Sequence, residues 1–349
     1  MNEREFENVL VVRTDRIGDV VLTLPMIPVL RSNLPRARVS MLLRPYTAAL
    51  VDGFEGLDGI LTYDDSGEGK SFFEALAELR TGHFDLVVVS HPTLRIAALI
   101  FLAGIQTRVG SGYRWYSFLF NRRVYEHRKT AEKHEAEYNL SLLRIIGIDA
   151  PEAPRIRLPL DENSRRAAAA ELEKIGVSPA DGFVVLHPGS GGSARDWSPR
   201  NFGELAQGLS RERMKVVVTG ITEEESLVNE VVASSGGIAL PIVGRLPLKE
   251  LGAVIASAKL FVSNSTGPLH IAAAVGTPVI AFYPPIRECS PHRWGPLTHK
   301  KVVFTADRAR CPRCQGGPCR GNDCMDQIKV AEVLRAAKSL LGENQSKGT

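Results

Sequence analysis

The stretch Arg13–Pro25, RTDRIGDVVLTLP, decides the fold of the N-terminal half. It follows an apolar run, Val9–Val12, and leads into the segment Val20–Leu34, whose apolar residues have helical spacing. The pattern predicts a buried strand, a tight turn at Gly18 and a helix with Asp19 at its N-terminal end. Because open α/β sheets bind ligands at the carboxyl ends of their strands, a catalytic carboxylate is expected at the position of Asp19.

Asp19 has two interpretations at this level. A carboxylate at a helix N-terminus lies among unpaired backbone N–H groups that stabilise its charged form, so Asp19 is a candidate catalytic base. Aspartate is also a favoured capping residue, and the local sequence alone favours a simple helix cap.

Length and composition indicate a soluble protein of two domains. A chain of 349 residues is too long for one typical core, and 44% apolar and 23% charged residues are ordinary for a globular protein. The net charge of +4 is too small for a nucleic-acid-binding domain but suits an anionic substrate or membrane surface. The N-terminus lacks a signal-peptide pattern, and no window has the roughly 18 apolar residues of a membrane-spanning helix. We therefore expect a cytoplasmic protein whose five cysteines are reduced.

Short β-rich runs alternate with helical segments along both halves, which predicts a parallel sheet with helices on both faces in each half. The predicted strands are Asn8–Arg13, Ala37–Leu43, Gly59–Tyr63, Phe84–Ser90 and Thr107–Gly110 in the first half, and Phe183–His187, Lys215–Thr219, Lys259–Ser263, Pro278–Tyr283 and Lys301–Phe304 in the second. The halves share this architecture without a close sequence repeat.

A proline-rich segment, Ala150–Pro159 (APEAPRIRLP), separates the halves and is typical of a linker. We predict an N-terminal domain over residues 1–155 and a linker with a helix over 156–180. A second domain follows over 181–325, and a C-terminal helix and tail occupy 326–349.

Residues 108–133 interrupt the alternation with interleaved basic and aromatic side chains, among them Arg114, Trp115, Arg122 and Arg123. This composition suits an anionic, partly apolar partner. A solvated loop with a few aromatic residues folded inward explains it equally well, because both residue types are common in such loops.

Two loops of the second half have features of phosphate binding. The first, His187–Trp197 (HPGSGGSARDW), turns through glycines and offers the Ser190 hydroxyl and the Arg195 guanidinium. A glycine such as Gly189 lets backbone N–H groups approach an anion, and arginine matches phosphate oxygens with a planar fork. No Gly-Lys-Ser/Thr follows, so this is not a Walker motif, and an ordinary Gly/Ser loop remains the alternative.

The second loop opens the segment Ser263–Gly276 (SNSTGPLHIAAAVG), in which a strand leads into a helix of small residues. Ser265 or Thr266 can cap this helix, and free N–H groups between Gly267 and His270 would form a diphosphate site. The His270 side chain could add a hydrogen bond or simply pack within the helix.

Both loops follow strands of one predicted sheet and could therefore converge on one ligand. Glu224 follows another strand end and is a candidate for holding a ribose diol. Acidic side chains at that position more often only stabilise the N-terminus of a helix.

Four stretches resemble glycosyltransferase family 9, the heptosyltransferases of lipopolysaccharide core synthesis. They are RTDRIGDVVLTLP at Arg13–Pro25, KHEAEYNLSLLRIIGI at Lys133–Ile148, HPGSGGSARDWSPRNFGELA at His187–Ala206 and SNSTGPLHIAAAVGTPVIAFY at Ser263–Tyr283. Their order and spacing extend the similarity over nearly the whole chain. The resemblance implies a GT-B fold, with two Rossmann-like domains facing across a cleft. The N-terminal domain would bind the acceptor and the C-terminal domain an ADP-heptose donor.

The resemblance also implies inverting chemistry without a required cofactor. Asp19 matches the aspartate of the family's Gly-Asp motif, its proposed general base. Arg195 replaces a phosphate-contacting lysine, and Ser265 replaces an acid near the donor, which leaves the exact nucleotide sugar open. The predicted donor-binding residues are Gly189, Ser190, Arg195, Glu224, Ser265, Thr266, Gly267 and His270, and the predicted acceptor-binding residues are Arg16, Arg114, Arg122 and Arg123.

The expected partners are an ADP-sugar, a lipopolysaccharide core acceptor and, peripherally, the cytoplasmic face of the inner membrane, with no nucleic acid. One alternative is a transferase of the same fold that uses another nucleotide sugar for a cell-surface glycan. The other is a nucleotide-sugar-binding protein that has lost turnover, as Ser265 suggests.

A cysteine-rich segment near the C-terminus is a candidate metal site. Cys311, Cys314, Cys319 and Cys324 follow a C-x2-C-x4-C-x4-C pattern, and four thiolates could hold a structural zinc tetrahedrally. Reduced structural thiols, an iron–sulfur cluster and disulfides are the alternatives.

Overall fold

The computed structural model describes residues 6–64, 69–150, 152–192, 195–307 and 324–345. The chain divides into two compact units, Met1–Pro159 and Leu160–Thr349. Each unit contains a six-stranded sheet in which every strand pair is parallel.

The first unit alternates strands and helices from its start. Its strands are β1 Asn8–Arg13, β2 Arg38–Leu43, β3 Gly59–Thr62, β4 Leu86–Val89, β5 Thr107–Ser111 and β6 Arg122–Val124, and its helices are α1 Ile17–Val21, α2 Met26–Asn33, α3 Pro45–Val51, α4 Phe72–Thr81, α5 Leu94–Leu102 and α6 Glu135–Ser141. The strand order is β3-β2-β1-β4-β5-β6. Central strand β1 is apolar on both faces and is buried from Val9 to Val12, as a strand covered by helices on both sides must be.

The second unit repeats this plan. Its strands are β7 Phe183–His187, β8 Lys215–Gly220, β9 Leu240–Val243, β10 Leu260–Asn264, β11 Val279–Tyr283 and β12 Lys301–Thr305, and its helices are α7 Glu162–Lys174, α8 Pro199–Arg211, α9 Glu225–Ser234, α10 Leu248–Ser257, α11 Gly267–Val275, α12 Pro291–Trp294 and α13 Val330–Gln345. The strand order, β9-β8-β7-β10-β11-β12, is the same Rossmann order as in the first unit. The predicted α/β class with two parallel sheets is confirmed.

Two edge strands were not predicted. β6 reads Arg-Arg-Val and lacks the apolar run that marks a buried strand. β9 contains Pro241, which lacks a backbone N–H and is tolerated mainly at sheet edges. Both strands close an edge of their sheet, where pairing to one neighbour rather than burial defines the strand.

The single helix predicted over Val20–Leu34 is wrong. α1 begins at Ile17 and ends at Val21, and α2 begins only at Met26. Pro25 and Pro28 cannot donate the backbone hydrogen bonds that would join the two helices into one. Gly18 therefore lies inside α1 rather than in a turn, and Asp19 lies in the first turn of α1.

No helix in the described ranges is both long and apolar enough to cross a membrane.

Candidate active site

In the first unit, polar side chains gather where the sheet order reverses. β1 and β4 are neighbours, and Asp15 and His91 follow their carboxyl ends. His91 Nδ1 lies 3.5 Å from Asp15 Oδ2. Ligands of open parallel sheets bind at this position because the flanking loops diverge there and leave a crevice.

Arg13, the last residue of β1, organises these side chains. Its Nε donates to Asp15 Oδ1 at 2.7 Å, its Nη2 bonds Asp19 Oδ1, and its Nη1 lies 3.4 Å from Glu135 Oε1. Nη1 also donates to Asn139 Oδ1 at 3.1 Å. Burial opposes the charged guanidinium, but the three carboxylates outweigh it and raise the pKa of Arg13 above its ordinary value.

Helix α6 contributes Glu135 and Asn139 to this group of side chains around Arg13, called here the Arg13 cluster. Glu135 and Asn139 are four residues apart, so both face the same way, and both are buried. Arg128 Nη1 bonds Glu135 Oε1 and also donates to Asn139 Oδ1 at 3.1 Å. Asn139 Nδ2 donates to the Leu22 carbonyl at 3.0 Å, which ties α6 to the break between α1 and α2.

Arg13, Glu135 and Asn139 were not predicted as site residues. They belong to two of the stretches that carried the family resemblance, but more than 120 residues separate Arg13 from Glu135. The sequence offered two signals for these residues. Arg13 ends an apolar strand, and the acid Glu135 and the amide Asn139 are spaced to share one face of a helix.

The structure does not use Asp19 as a helix cap. Arg16 occupies the N-cap position of α1, with no side-chain capping bond, and Asp19 is the third helical residue. Its side chain is 15% exposed. Burial raises the pKa of Asp19 to about 6; Arg13 opposes this rise, while the negative charges of Asp15 and Glu135 add to it.

The predicted acceptor-binding arginines are all exposed. Arg16 precedes α1, Arg114 precedes a short 3-10 helix over Trp115–Leu119, and Arg122 and Arg123 lie on edge strand β6. Only Arg16 is adjacent in sequence to the Arg13 cluster.

In the second unit, the two predicted phosphate loops leave adjacent strands. β7 and β10 pair directly, with Ser263 opposite His187, so the loops begin side by side at the point where the sheet order reverses. The prediction that they lie at strand ends of one sheet is confirmed.

Asn264, which was not predicted as a site residue, links these two loops. Its Nδ2 donates to the Pro188 carbonyl at 2.6 Å, and its Oδ1 accepts from the Trp197 backbone N–H at 2.7 Å. Trp197 is fully buried and its Nε1 donates to the Ile328 carbonyl at 2.9 Å. Asn264 and Trp197 therefore fix both ends of the glycine-rich loop that contains Gly189, Ser190 and Arg195.

Glu224 lies directly against the glycine-rich loop. A Cβ added to Gly189 would lie 1.9 Å from Glu224 Oε1, so any side chain there would displace the Glu224 carboxylate. The Ile221 backbone N–H donates to Glu224 Oε2 at 3.1 Å. His187 Nε2 is 4.0 Å from the same oxygen, and burial lowers the pKa of His187 more than Glu224 raises it.

The entry to α11 keeps the features of an anion site. Thr266 occupies the N-cap position without a side-chain capping bond, and Pro268 lies in the first turn. Ser265 bonds the buried Tyr283 hydroxyl, which in turn donates to the Trp294 carbonyl at 2.7 Å. The His270 side chain is buried.

Of the four clustered cysteines, the structure describes only Cys324, which is buried in the core of the second unit. Cys311, Cys314 and Cys319 lie outside the described residues. Elsewhere, the described residues contain no group of three or more His, Cys, Asp or Glu side chains arranged for a metal ion.

We expect Asn264→Ala to destabilise the protein by about 1–3 kcal/mol, because the Pro188 carbonyl and the Trp197 N–H would lose their partner inside the protein. Urea denaturation measures this change. Asn201→Ala is the control, since the Asn201 side chain donates to the exposed carboxylate of Asp326 at 3.2 Å, and its loss should change stability by less than about 0.5 kcal/mol. Equal effects of the two substitutions would contradict the bridging role of Asn264.

Comparison with known proteins identifies the family. The family model described as glycosyltransferase family 9 (heptosyltransferase) matches residues 73–324. Lipopolysaccharide heptosyltransferase 3 of Escherichia coli is 26% identical over 93% of this chain and 96% of its own length.

Two solved structures have the same fold. A family 9 glycosyltransferase from Veillonella parvula superposes with a TM-score of 0.84 at 21% identity, covering 98% of this chain and 99% of that one. The ADP-heptose lipopolysaccharide heptosyltransferase II of E. coli gives a TM-score of 0.80 at 21% identity, covering 97% and 99%. The GT-B fold predicted from the sequence is therefore confirmed, and the chain belongs to glycosyltransferase family 9.

Proposed function

We propose that this protein is an inverting glycosyltransferase that moves a heptose from ADP-heptose to a lipopolysaccharide core acceptor. The observation that carries the proposal is Asp19, a carboxylate of raised pKa beside the carboxyl end of β1, in a chain of this family. The names of the E. coli relatives support the donor and the acceptor.

Asp19 is suited to the role of general base. A pKa of about 6 leaves it mostly ionised near pH 7, yet makes it a stronger base than an ordinary carboxylate. In the proposed reaction, Asp19 takes the proton of an acceptor hydroxyl while that oxygen attacks the anomeric carbon. The bond between the sugar and ADP breaks, and the anomeric configuration inverts.

The donor would occupy the loops after β7 and β10. The Ser190 hydroxyl, the Arg195 guanidinium and the first backbone N–H groups of α11 would stabilise the negative charge that develops on the departing diphosphate. Glu224, held against Gly189, would bind the ribose diol. The chemistry as proposed requires no cofactor.

The acceptor would be held by exposed arginines of the first unit, namely Arg16, Arg114, Arg122 and Arg123. Their guanidinium groups match the phosphates and acidic sugars of a lipopolysaccharide core. We propose that the enzyme works in the cytoplasm, in peripheral contact with the inner membrane, because this acceptor is anchored to lipid.

The test is to mix the protein with ADP-heptose and a heptose-deficient lipopolysaccharide and to follow ADP release. We expect release that depends on both substrates. Calorimetry across ADP-, UDP- and GDP-sugars identifies the donor. Tight ADP-heptose binding with no ADP release for any acceptor would favour the alternative of a binding protein that has lost turnover, in which Ser265 has replaced a needed acid.

The rate of transfer should fall as the pH drops below about 6, because Asp19 must be unprotonated to accept the proton. kcat/KM measured between pH 4.5 and 8 should lose about tenfold per unit on the acidic side of that midpoint. A profile that stays flat down to pH 4.5 would remove Asp19 from the role of base.

We also propose that the cysteine segment holds a structural metal, with zinc as the first choice. Four thiolates in so short a segment are a sufficient donor set for a tetrahedral structural zinc site. Elemental analysis of the purified protein should find one zinc per chain that is lost in the Cys311→Ser/Cys314→Ser variant. Iron or no metal would contradict zinc.

A further inference from the structure

The first unit exposes an unusual number of large apolar side chains along residues 94–125. This part of the surface, called here the aromatic face, holds seven of the twelve large apolar side chains that are exposed in the described ranges. They are Leu94, Phe101, Leu102, Tyr113, Trp115, Phe118 and Tyr125. Scattered single residues of this kind are normal, but such a concentration in one surface region marks an interaction site.

The fold turns these side chains outward while burying their sequence neighbours. The 3-10 helix over Trp115–Leu119 packs on α5. Tyr116 is buried, and its hydroxyl donates to the Pro92 carbonyl at 2.8 Å. Trp115 and Phe118, three residues apart and so on one side of a 3-10 helix, are 75% and 62% exposed. The short helix is thus fixed on the unit by one side and presents aromatic rings on the other.

Further contacts join the pieces into one surface. The Arg108 guanidinium lies over the Phe101 ring at 5.3 Å, and its Nε donates to the Leu119 carbonyl at 2.8 Å, which links the end of α5 to the end of the 3-10 helix. Tyr113 and Tyr125 meet edge to face, with ring centroids 5.6 Å apart. The aromatic face is therefore a packed feature of the unit.

The charge around the aromatic face is strongly positive. Residues 94–129 contain seven arginines and lysines and one acid, a net charge of +6, whereas the whole chain carries only +4. Arg114, Arg122, Arg123 and Lys129 are exposed. The remainder of the chain is therefore slightly acidic, and the positive charge is concentrated beside the exposed rings.

We propose that the aromatic face docks the enzyme on the surface of an anionic bilayer. Tryptophan and phenylalanine rings enter the boundary between headgroups and acyl chains, and nearby arginines and lysines attract lipid phosphates. The sole acid in residues 94–129, Glu126, binds Lys133 Nζ at 2.6 Å. Arg128 bonds Glu135, so the exposed cations Arg114, Arg122, Arg123 and Lys129 are the ones offered to lipid phosphates. This inference deepens the proposed function, on which its choice of a membrane rests, because a lipid-anchored acceptor is presented at such a surface.

The first experiment is co-sedimentation with vesicles of phosphatidylglycerol and phosphatidylethanolamine, compared with vesicles of phosphatidylcholine alone. We expect binding to the anionic vesicles that weakens as salt is added. The Trp115→Ser/Phe118→Ser variant should bind at least about tenfold more weakly, since both rings leave the interface. The control is Ile238→Ser, an exposed apolar side chain of the second unit, which should bind as the unaltered protein does.

Transfer assays separate this proposal from the proposed function. The Trp115→Ser/Phe118→Ser variant should transfer heptose normally to a deacylated acceptor in solution and poorly to the intact acceptor in vesicles. Absence of transfer by the unaltered protein to both acceptors, with vesicle binding retained, would overturn the proposed function alone.

Three other results would overturn the docking proposal itself. These are unaltered vesicle binding by the double variant, equal binding to neutral and anionic vesicles, and self-association that the double variant abolishes. The last result would assign the aromatic face to a second copy of the chain.

Discussion

Replacing Asp19 with asparagine should lower the rate of heptosyl transfer by about 10²–10⁴-fold, the usual contribution of a general base. The amide has nearly the same shape but cannot accept the proton. Because the loops proposed to hold the donor belong to the second unit, we expect ADP binding measured by calorimetry to stay unchanged. Transfer by the variant at more than a tenth of the normal rate would contradict the role of base.

Asp19→Asn should also change how the stability of the protein depends on pH. Asp19 has a folded-state pKa of about 6, above its ordinary value of 3.8, so the folded protein binds this proton more tightly than the unfolded chain does. Asp19 therefore adds stability at low pH, and this contribution is lost as the pH rises through about 6. Asp19→Asn should remove that dependence and melt no lower than the unaltered protein at pH 8, where the buried charge is otherwise unfavourable.

Asp15→Asn is the matched control, because Asp15 also binds Arg13 and is similarly buried. It should cost less than about tenfold in rate. Its negative charge raises the pKa of Asp19, so its removal should shift the acidic limb of the pH profile to lower pH. An equal loss of activity in both variants would mean that the cluster as a whole, rather than Asp19, carries the chemistry.

The features that the sequence predicted well are those set by local pattern. The buried run of β1 and the Ser-Asn-Ser-Thr-Gly-Pro entry to α11 carry their structure in adjacent residues, so strand, loop and helix could be placed. Edge strands β6 and β9 were not predicted because their pairing with a neighbouring strand, and not their own composition, defines them.

The side chains that surround Asp19 were beyond prediction for a different reason. Arg13 could be read only as the end of a strand, and Glu135 only as the start of a helix. Their contact depends on how the chain between them folds, and a single sequence contains no signal for it. The pKa of Asp19 is raised chiefly by burial and further by the negative charges of Asp15 and Glu135, while Arg13 lowers it. The sequence could therefore single out Asp19 as a candidate base but could not predict its pKa.

Arg13→Gln should destabilise the protein by about 3–5 kcal/mol at pH 8, the usual result of removing one member of a buried ionic cluster. Asp15, Asp19 and Glu135 would keep their negative charges close together with one cation fewer among them. Urea denaturation measures the loss. Arg200→Gln, which breaks the exposed pair with Glu204, is the control and should cost under about 0.5 kcal/mol.

The pH dependence of this loss tests its electrostatic origin. Arg13 holds the pKa of Asp19 below the value that burial would otherwise give it, so without Arg13 the folded variant takes up the Asp19 proton at a still higher pH than its unfolded chain does. The deficit should therefore be greatest at pH 8 and shrink as the pH falls toward 5. Asp19→Asn added to Arg13→Gln should restore part of the stability at pH 8, because it removes a buried carboxylate that has lost its bond to the Arg13 guanidinium. A deficit that is equal at both pH values, with no recovery in the double variant, would show that Arg13 acts through packing rather than through its charge.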